Sequence, residues 1–175
     1  MLLLHSHARR DARRDAAGAF VALQQQDTSS WSRELVEQAE LHLARAAAAR
    51  RLGPYQLMAA IQSVHNRRAV TGTTDHHAVA LLYAGLAHLT PTTGVLVARA
   101  AATLADGRPE QALRLLEDVP PDRVSRYQPY WVTRGAVLAA SGRPGAAEAR
   151  ATALLLTTDP ALRDHLLRDR SPQYP

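Results

Sequence analysis

Apolar side chains recur at spacings of three and four residues along most of the chain, a pattern typical of amphipathic α-helices. The clearest example is the stripe formed by Val79, Leu82, Tyr83, Leu86 and Leu89. Strand-forming residues never run together for more than three or four positions. The pattern therefore predicts an all-α protein.

Capping residues and glycine–proline signals divide this pattern into helices. Asp27 or Ser30 is a plausible N-cap for the second helix, and Thr74 or Asp75 for the helix after the loop "NRRAVTGTTD". Gly53 ends one helix and Pro54 begins the next, whose apolar stripe is Tyr55, Met58, Ile61 and Val64. The predicted helices span residues 1–14, 31–51, 54–66, 75–89, 91–104, 109–118, 122–141, 144–157 and 160–169.

The segment "DAAGAFVALQQQD" interrupts the helical pattern. Gly18 indicates a turn, and Phe20, Val21 and Leu23 indicate a short extended arm near residues 18–26. We divide the chain into an N-terminal helix and arm (1–30), a helical domain (31–170) and a frayed tail (171–175).

A repeat of 35 residues organises the C-terminal half. "ADGRPEQAL" at 105–113 aligns with "ASGRPGAAE" at 140–148, and the same shift pairs Leu96 with Trp131 and Arg99 with Arg134. Trp131, Gly135, Ala147 and Pro160 follow the spacing of tetratricopeptide units, in which a small residue lets two helices approach closely. The repeat predicts an α-solenoid of antiparallel helix pairs with two degenerate tetratricopeptide-like units.

Composition narrows the functional classes. The 175 residues suffice for one domain, about a fifth of them are Ala, and all 21 cationic side chains are Arg. Without Cys, disulfides, thiolate metal sites and Cys nucleophiles are excluded. The opening "MLLLHSHARR" is too short for a signal peptide, and no window holds the roughly 20 apolar residues of a membrane helix. We expect a cytoplasmic protein that does not bind a membrane.

The sequence contains no recognisable pattern of catalytic residues. The eight His show no HExxH spacing, and adjacent His76 and His77 project about 100° apart on a helix. No nucleophile elbow, phosphate-binding loop or dinucleotide fingerprint is present. We predict no enzymatic activity, no cofactor and no metal. A metal-dependent enzyme using His76 or His77 is a poorer alternative.

Two N-terminal features have competing interpretations. Arg9, Arg10, Arg13 and Arg14 could meet phosphates or an acidic surface, but a solvated helix face with i,i+4 ion pairs is favoured. Trp31, in the first turn of its helix, is expected to pin the arm by packing rather than to bind a ligand.

Four stretches, "LLLHSHARRDAR", "LQQQDTSSW", "GPYQLMAAIQSVH" and "TDHHAVALLYAGLAHLTP", resemble one group of bacterial extracytoplasmic-function (ECF) sigma factors. The resemblance lies in their C-terminal tetratricopeptide-like extension and covers about residues 2–168. This chain has His76 where the group usually has Trp, and Ala98-Arg99-Ala100 where it has an Asn-Arg-Ala run. The regions that read the −10 and −35 promoter elements in that group are absent from this sequence.

The resemblance implies a regulatory domain acting in transcription initiation, with no sequence-specific DNA reading of its own. Implied partners are the sigma core, RNA polymerase or a DGPF/YCII-type protein. The alternative is a stand-alone helical adaptor that binds a protein or peptide, and the apolar start of the first helix would favour a homodimer. The expected contact residues are Trp31, Tyr55, Gln56, His65, Arg67, Arg99, Tyr130, Trp131 and Arg134. Among them, Tyr55 and Trp131 are expected to belong to the core.

Overall fold

The computed structural model describes residues 1–168, and within that range it forms ten α-helices joined by short loops and 3₁₀ turns. Extended pairing in this range is limited to one antiparallel bridge between Arg14 and Phe20. The predicted all-α class is confirmed, whereas the predicted tail 171–175 lies outside the described residues. The helices are α1 (Leu2–Ala8), α2 (Arg33–Ala48), α3 (Pro54–Asn66), α4 (Arg68–Thr71), α5 (His76–Leu89), α6 (Thr93–Ala105), α7 (Pro109–Glu117), α8 (Gln128–Ala140), α9 (Ala146–Leu156) and α10 (Pro160–Arg168).

The 35-residue repeat is a structural repeat. Helices α6 and α8 begin 35 residues apart and also end 35 residues apart, and each is followed by its partner helix, α7 or α9. The turns Gly107 and Gly142 both adopt left-handed φ angles, 75° and 62°. After each glycine an arginine N–H closes the preceding helix: Arg108 donates to the Thr103 carbonyl at 3.2 Å, and Arg143 to the Leu138 carbonyl at 2.9 Å. Equivalent residues therefore make the same helix-terminating turn in both units.

Small residues let the paired helices approach closely. A Cβ at Gly135 in α8 would lie 3.4 Å from the Ala146 carbonyl oxygen and 3.5 Å from the Arg150 backbone nitrogen of α9. Ala100, 35 residues earlier, and Ala112 are completely buried in the preceding pair. The predicted mechanical role of these small side chains is confirmed.

Two apolar clusters fill the interior. One joins α6, α7 and α8 through residues such as Leu116, Val97 and Val137. The other joins α3, α5 and α6 and includes Ile61 and Leu86. Helix α3 contributes Leu57 and Ile61 to the second cluster, and α6 contributes to both clusters. Successive helices are therefore buried against their neighbours, as in a solenoid.

The N-terminal segment departs from the prediction. Helix α1 ends at Ala8 instead of continuing to residue 14, so the four arginines do not share one helix face. Downstream, the Asp15 carboxylate accepts hydrogen bonds from the N–H groups of Ala17 and Ala19, both at 2.9 Å, which stabilises a turn at Gly18. This local alternative to helical hydrogen bonding competes with the helix.

Other boundaries were also wrong by several residues. Helix α2 is capped by Ser32, whereas Asp27 caps a separate 3₁₀ turn, so Trp31 precedes the helix instead of lying in its first turn. The predicted loop 66–75 contains the short helix α4. Helix α8 begins only at Gln128, after a 3₁₀ turn that Pro121 opens. The Asp75 cap of α5 is confirmed by its hydrogen bond from the Ala78 N–H at 2.9 Å.

The N-terminal arm also reaches the last described helix. Arg14 forms a salt bridge of 3.1 Å with Asp159, and the rings of Phe20 and His165 meet edge to face at 5.2 Å. The arm is thus extended at Phe20 but folds into a 3₁₀ turn at Leu23–Gln25. None of the helices within residues 1–168 is long and apolar enough to cross a bilayer.

Candidate functional site

The predicted contact residues do not form one surface. Trp31 and Tyr130 are buried, Tyr55 and Arg67 are exposed, and the remaining five are half-buried. Eight of them occupy three regions: a cluster around Trp31 and His65, the turn between α2 and α3, and the first turns of α8. The ninth, Arg99, lies in the middle of α6.

Trp31 anchors the arm to the helices. Its side chain is 6% exposed, and the guanidinium carbons of Arg9 and Arg68 lie 5.8 Å and 5.2 Å from the ring centroid. Both distances are within cation–π range. The expected packing role of Trp31 is therefore confirmed, and its partners are two arginines that the sequence pattern did not connect with it.

Arg68 fixes the path of the arm. Its guanidinium donates to the carbonyls of Leu23 at 3.0 Å and Gln26 at 2.7 Å, and also to that of Gln24. Three carbonyls in four residues are thereby satisfied by one side chain, which explains why this non-helical segment can lie against the protein. The loop assignment of residues 66–75 concealed Arg68, because its role depends on contacts more than 40 residues away in sequence.

Arg9 enters the interior from the end of α1. It is 7% exposed, donates to the Gln62 side-chain oxygen, and leaves its Nη1 buried without a hydrogen-bond partner among the described residues. Burial, reinforced by the charges of Arg13 and Arg68, lowers the pKa of Arg9 to about 10. The group still carries its charge at neutral pH.

Arg9 and Arg68 form a cationic pair at the Trp31 ring. Within residues 1–168 neither Arg9 nor Arg68 forms a salt bridge with a carboxylate. Nearby, His5 is fully buried and its Nδ1 lies 2.8 Å from the Asn66 side-chain nitrogen. Burial lowers the pKa of His5. The Glu40 carboxylate lies 3.8 Å from the Nε2 of His5, but it forms no salt bridge with Arg9 or Arg68. The two guanidinium charges therefore give this region a positive potential.

A cleft of about 150 Å³ opens next to this cluster. Gln24 of the arm, His65 of α3 and His76 of α5 line it together with Tyr127, which precedes α8. Small side chains on α6 leave the space open. The other lining residues are Val79, Tyr83, Gly94, Val97, Ala98, Ala101, Ala102, Ala105 and Pro129.

His65 is the most strongly perturbed group of the cleft. Burial, with smaller contributions from the charges of Arg9, His76 and Arg68, lowers the pKa of His65 to about 4. The imidazole is therefore neutral at physiological pH. Burial also raises the pKa of the Tyr83 hydroxyl, which stays protonated.

His77, the other histidine of the predicted pair, faces a different partner. Its Nδ1 lies 3.1 Å from Asp106, whose carboxylate also pairs with Arg108 at 2.5 Å. The hydrogen bond from His77 holds the pKa of Asp106 below its usual value. Within residues 1–168 no group of three or more His, Asp or Glu side chains is arranged to hold a metal ion.

The turn between α2 and α3 presents an exposed mixed surface. Leu52 is 64% exposed and Tyr55 is 71% exposed, so the prediction that Tyr55 belongs to the core was wrong. Arg50, with a left-handed φ of 51°, and Arg51 are exposed beside them. We call residues 50–55 the α2–α3 turn.

The aromatic residues at the start of α8 are structural. The Trp131 ring meets Tyr130 edge to face at 5.4 Å, and its Nε1 donates to the carbonyls of Val124 and Ser125. Arg134 donates to the Tyr130 hydroxyl at 3.2 Å. These contacts attach the loop before α8 to the repeat.

Comparison with known proteins finds a family match, over the N-terminal residues, and a similar bacterial protein. Residues 1–47 match a family described as a family of unknown function (DUF6596). That match includes Arg9 and Trp31 but not Arg68. A 149-residue alignment gives 41% identity to an uncharacterized protein of Rhizobium meliloti (strain 1021), covering 85% of this chain and 34% of that protein. The chain thus spans about a third of the length of this relative, and no solved structure matches.

Proposed function

We propose that this chain is a non-catalytic regulatory domain of an ECF sigma factor, acting in transcription initiation through protein contacts. The observation that carries the proposal is the α2–α3 turn, which exposes Leu52 and Tyr55 next to two arginines. Aromatic, apolar and Arg side chains of this kind are enriched at the centres of protein interfaces. The last three residues of the turn, 53–55, begin "GPYQLMAAIQSVH", one of the stretches that resemble the sigma-factor extensions, and Leu52 directly precedes it.

The proposed partners are the sigma core, RNA polymerase or a DGPF/YCII-type protein. Two features support an interaction domain: the repeated helix pairs, which offer extended surfaces, and the relative, whose length leaves room for further domains. The sigma core regions are proposed to belong to such additional sequence.

A pull-down tests this proposal. The purified chain is immobilised and offered the cognate sigma core, RNA polymerase and the DGPF/YCII-type protein separately. Leu52→Ala combined with Tyr55→Ala is expected to weaken capture at least ~10-fold, as for a truncated interface centre. Leu155→Ala is the matched control because Leu155 is 83% exposed but lies on α9, away from this turn in sequence.

Failure of all three partners to bind the unmodified chain would refute the sigma-factor proposal. Capture that the double variant leaves unchanged would refute the assignment of the α2–α3 turn.

The second candidate is a stand-alone helical adaptor that binds a protein or peptide partner, and a second copy of the chain is the partner that an exposed residue favours. Leu3 of α1 is 82% exposed, and it is the part of the apolar N-terminus available to a second copy. Sedimentation of the chain at increasing concentration tests this candidate. If the unmodified chain stays monomeric at all concentrations, or if Leu3→Gln sediments in the same way as the unmodified chain, the homodimer is refuted.

A further inference from the structure

The polar groups in the cleft have unused hydrogen-bonding capacity. His65, His76, Tyr83 and Tyr127 make no side-chain hydrogen bond to another described residue, and the Gln24 Oε1 is buried without a partner. Rotation of the Gln24 amide would present its N–H₂ group at the same place. Several groups that can form hydrogen bonds therefore line one small space, which is the usual arrangement of a small-molecule site.

The charge around the cleft selects the ligand class. No Asp, Glu or Arg lines the cleft itself, but Arg9 and Arg68 lie close enough to His65 to affect its protonation. Neither arginine has a carboxylate partner among the described residues. The His65 end is therefore positive and supplies donors, which suits an anion and disfavours a cation.

The size of the cleft limits the rest of the ligand. A volume of about 150 Å³ is similar to that of a protein cavity that holds benzene. The apolar part of the lining includes Val79, Val97 and small alanines of α6. The cleft therefore suits one compact apolar group.

From these features we infer that the cleft binds a small monocarboxylate, with its carboxylate at the His65 and Gln24 end and a benzene-sized apolar group against α5 and α6. The inference goes beyond the proposed function and does not depend on it, because a small ligand could bind this cleft whether or not the chain contacts a sigma core.

Benzoate is the first probe, and benzamide is the neutral control of the same shape. Binding to the full chain is followed by NMR through the imidazole protons of His65 and His76. Benzoate is expected to bind saturably with a dissociation constant of about 1 mM or lower, and benzamide at least ~10-fold more weakly. Equal binding of the two compounds, or no saturable shift of His65, would overturn the inference.

Two pairs of variants locate the site. Ala98→Leu fills the cleft from α6 and should abolish benzoate binding, whereas Ala139→Leu, at an exposed position of α8, should leave it unchanged. His65→Glu places a carboxylate beside the two arginines and should exclude benzoate. His65→Gln retains a donor and should weaken binding less, and thermal melts establish that each variant is folded.

Acidity offers a further check. His76, Arg9 and Arg68 are the charged or titratable groups that act on His65. A bound carboxylate would favour protonation of His65, so benzoate affinity should increase between about pH 7 and pH 5. Retention of binding by Ala98→Leu, or affinity that decreases with acidification, would contradict the proposed position of the carboxylate. The pull-down with the sigma core can fail without affecting any of these results.

Discussion

Mild acid should destabilise this protein through His65. The pKa of its imidazole is about 4 in the folded chain, compared with 6.5 for an unperturbed histidine. Folding therefore prevents a protonation that the unfolded chain undergoes. The stabilisation is fully present above pH 6.5 and is lost as the pH falls toward 4.

The magnitude follows from the two pKa values. At about pH 5 the unfolded chain is almost fully protonated at this position while the folded chain is not, which corresponds to about 2 kcal/mol. Burial also lowers the pKa of His5, which adds a loss of the same sign. The depressed pKa values of Asp27, Asp106 and Asp159 act only at lower pH, where those carboxylates protonate.

Urea unfolding followed by circular dichroism at about pH 7 and pH 5 measures this effect. His65→Gln removes the titrating group, so its free energy of unfolding should fall by about 2 kcal/mol less over this interval than that of the unmodified chain. His42→Gln, on the exposed face of α2, is the matched control and should retain the full loss. A His65 NMR titration with a midpoint above about 6, or the same pH dependence in His65→Gln, would refute the reasoning.

Two further substitutions test packing by urea unfolding. Trp31→Leu should cost about 2–4 kcal/mol, because it leaves a cavity and removes the ring that Arg9 and Arg68 both contact. A loss below about 1 kcal/mol would contradict this role. Gly135→Leu should cost about 1–3 kcal/mol, because its side chain would enter the 3.4 Å contact with α9. Gly135→Ala should cost less than about 1 kcal/mol, because its Cβ reaches only ordinary contact distance and alanine favours the helix. Equal stability of the two Gly135 variants would show that α8 and α9 are not closely packed there.

The sequence by itself determined the helical class and the repeated helix pairs. Both depend on signals that act over a few residues: apolar spacing, the Asp75 cap, and glycines that can adopt left-handed φ at Gly107 and Gly142. The internal repeat then identified Gly135 as a close-approach position, since equivalent helices pack in equivalent ways. Tyr55 is an exception, because helical spacing places it on the apolar stripe although it is exposed in the folded chain.

Only the tertiary structure decided the composition of the candidate site. Arg9 contacts Gln62 across 53 positions of sequence, and Arg68 contacts the arm across more than 40. An isolated "RRDARRD" segment favours a solvated helix. The spacing of apolar residues gives no indication that Arg9 is buried against Trp31. The cleft likewise needs the arm, α3, α5, α6 and the loop before α8 together. Local sequence preferences fix the elements, whereas burial and unpaired charge arise only when distant elements meet.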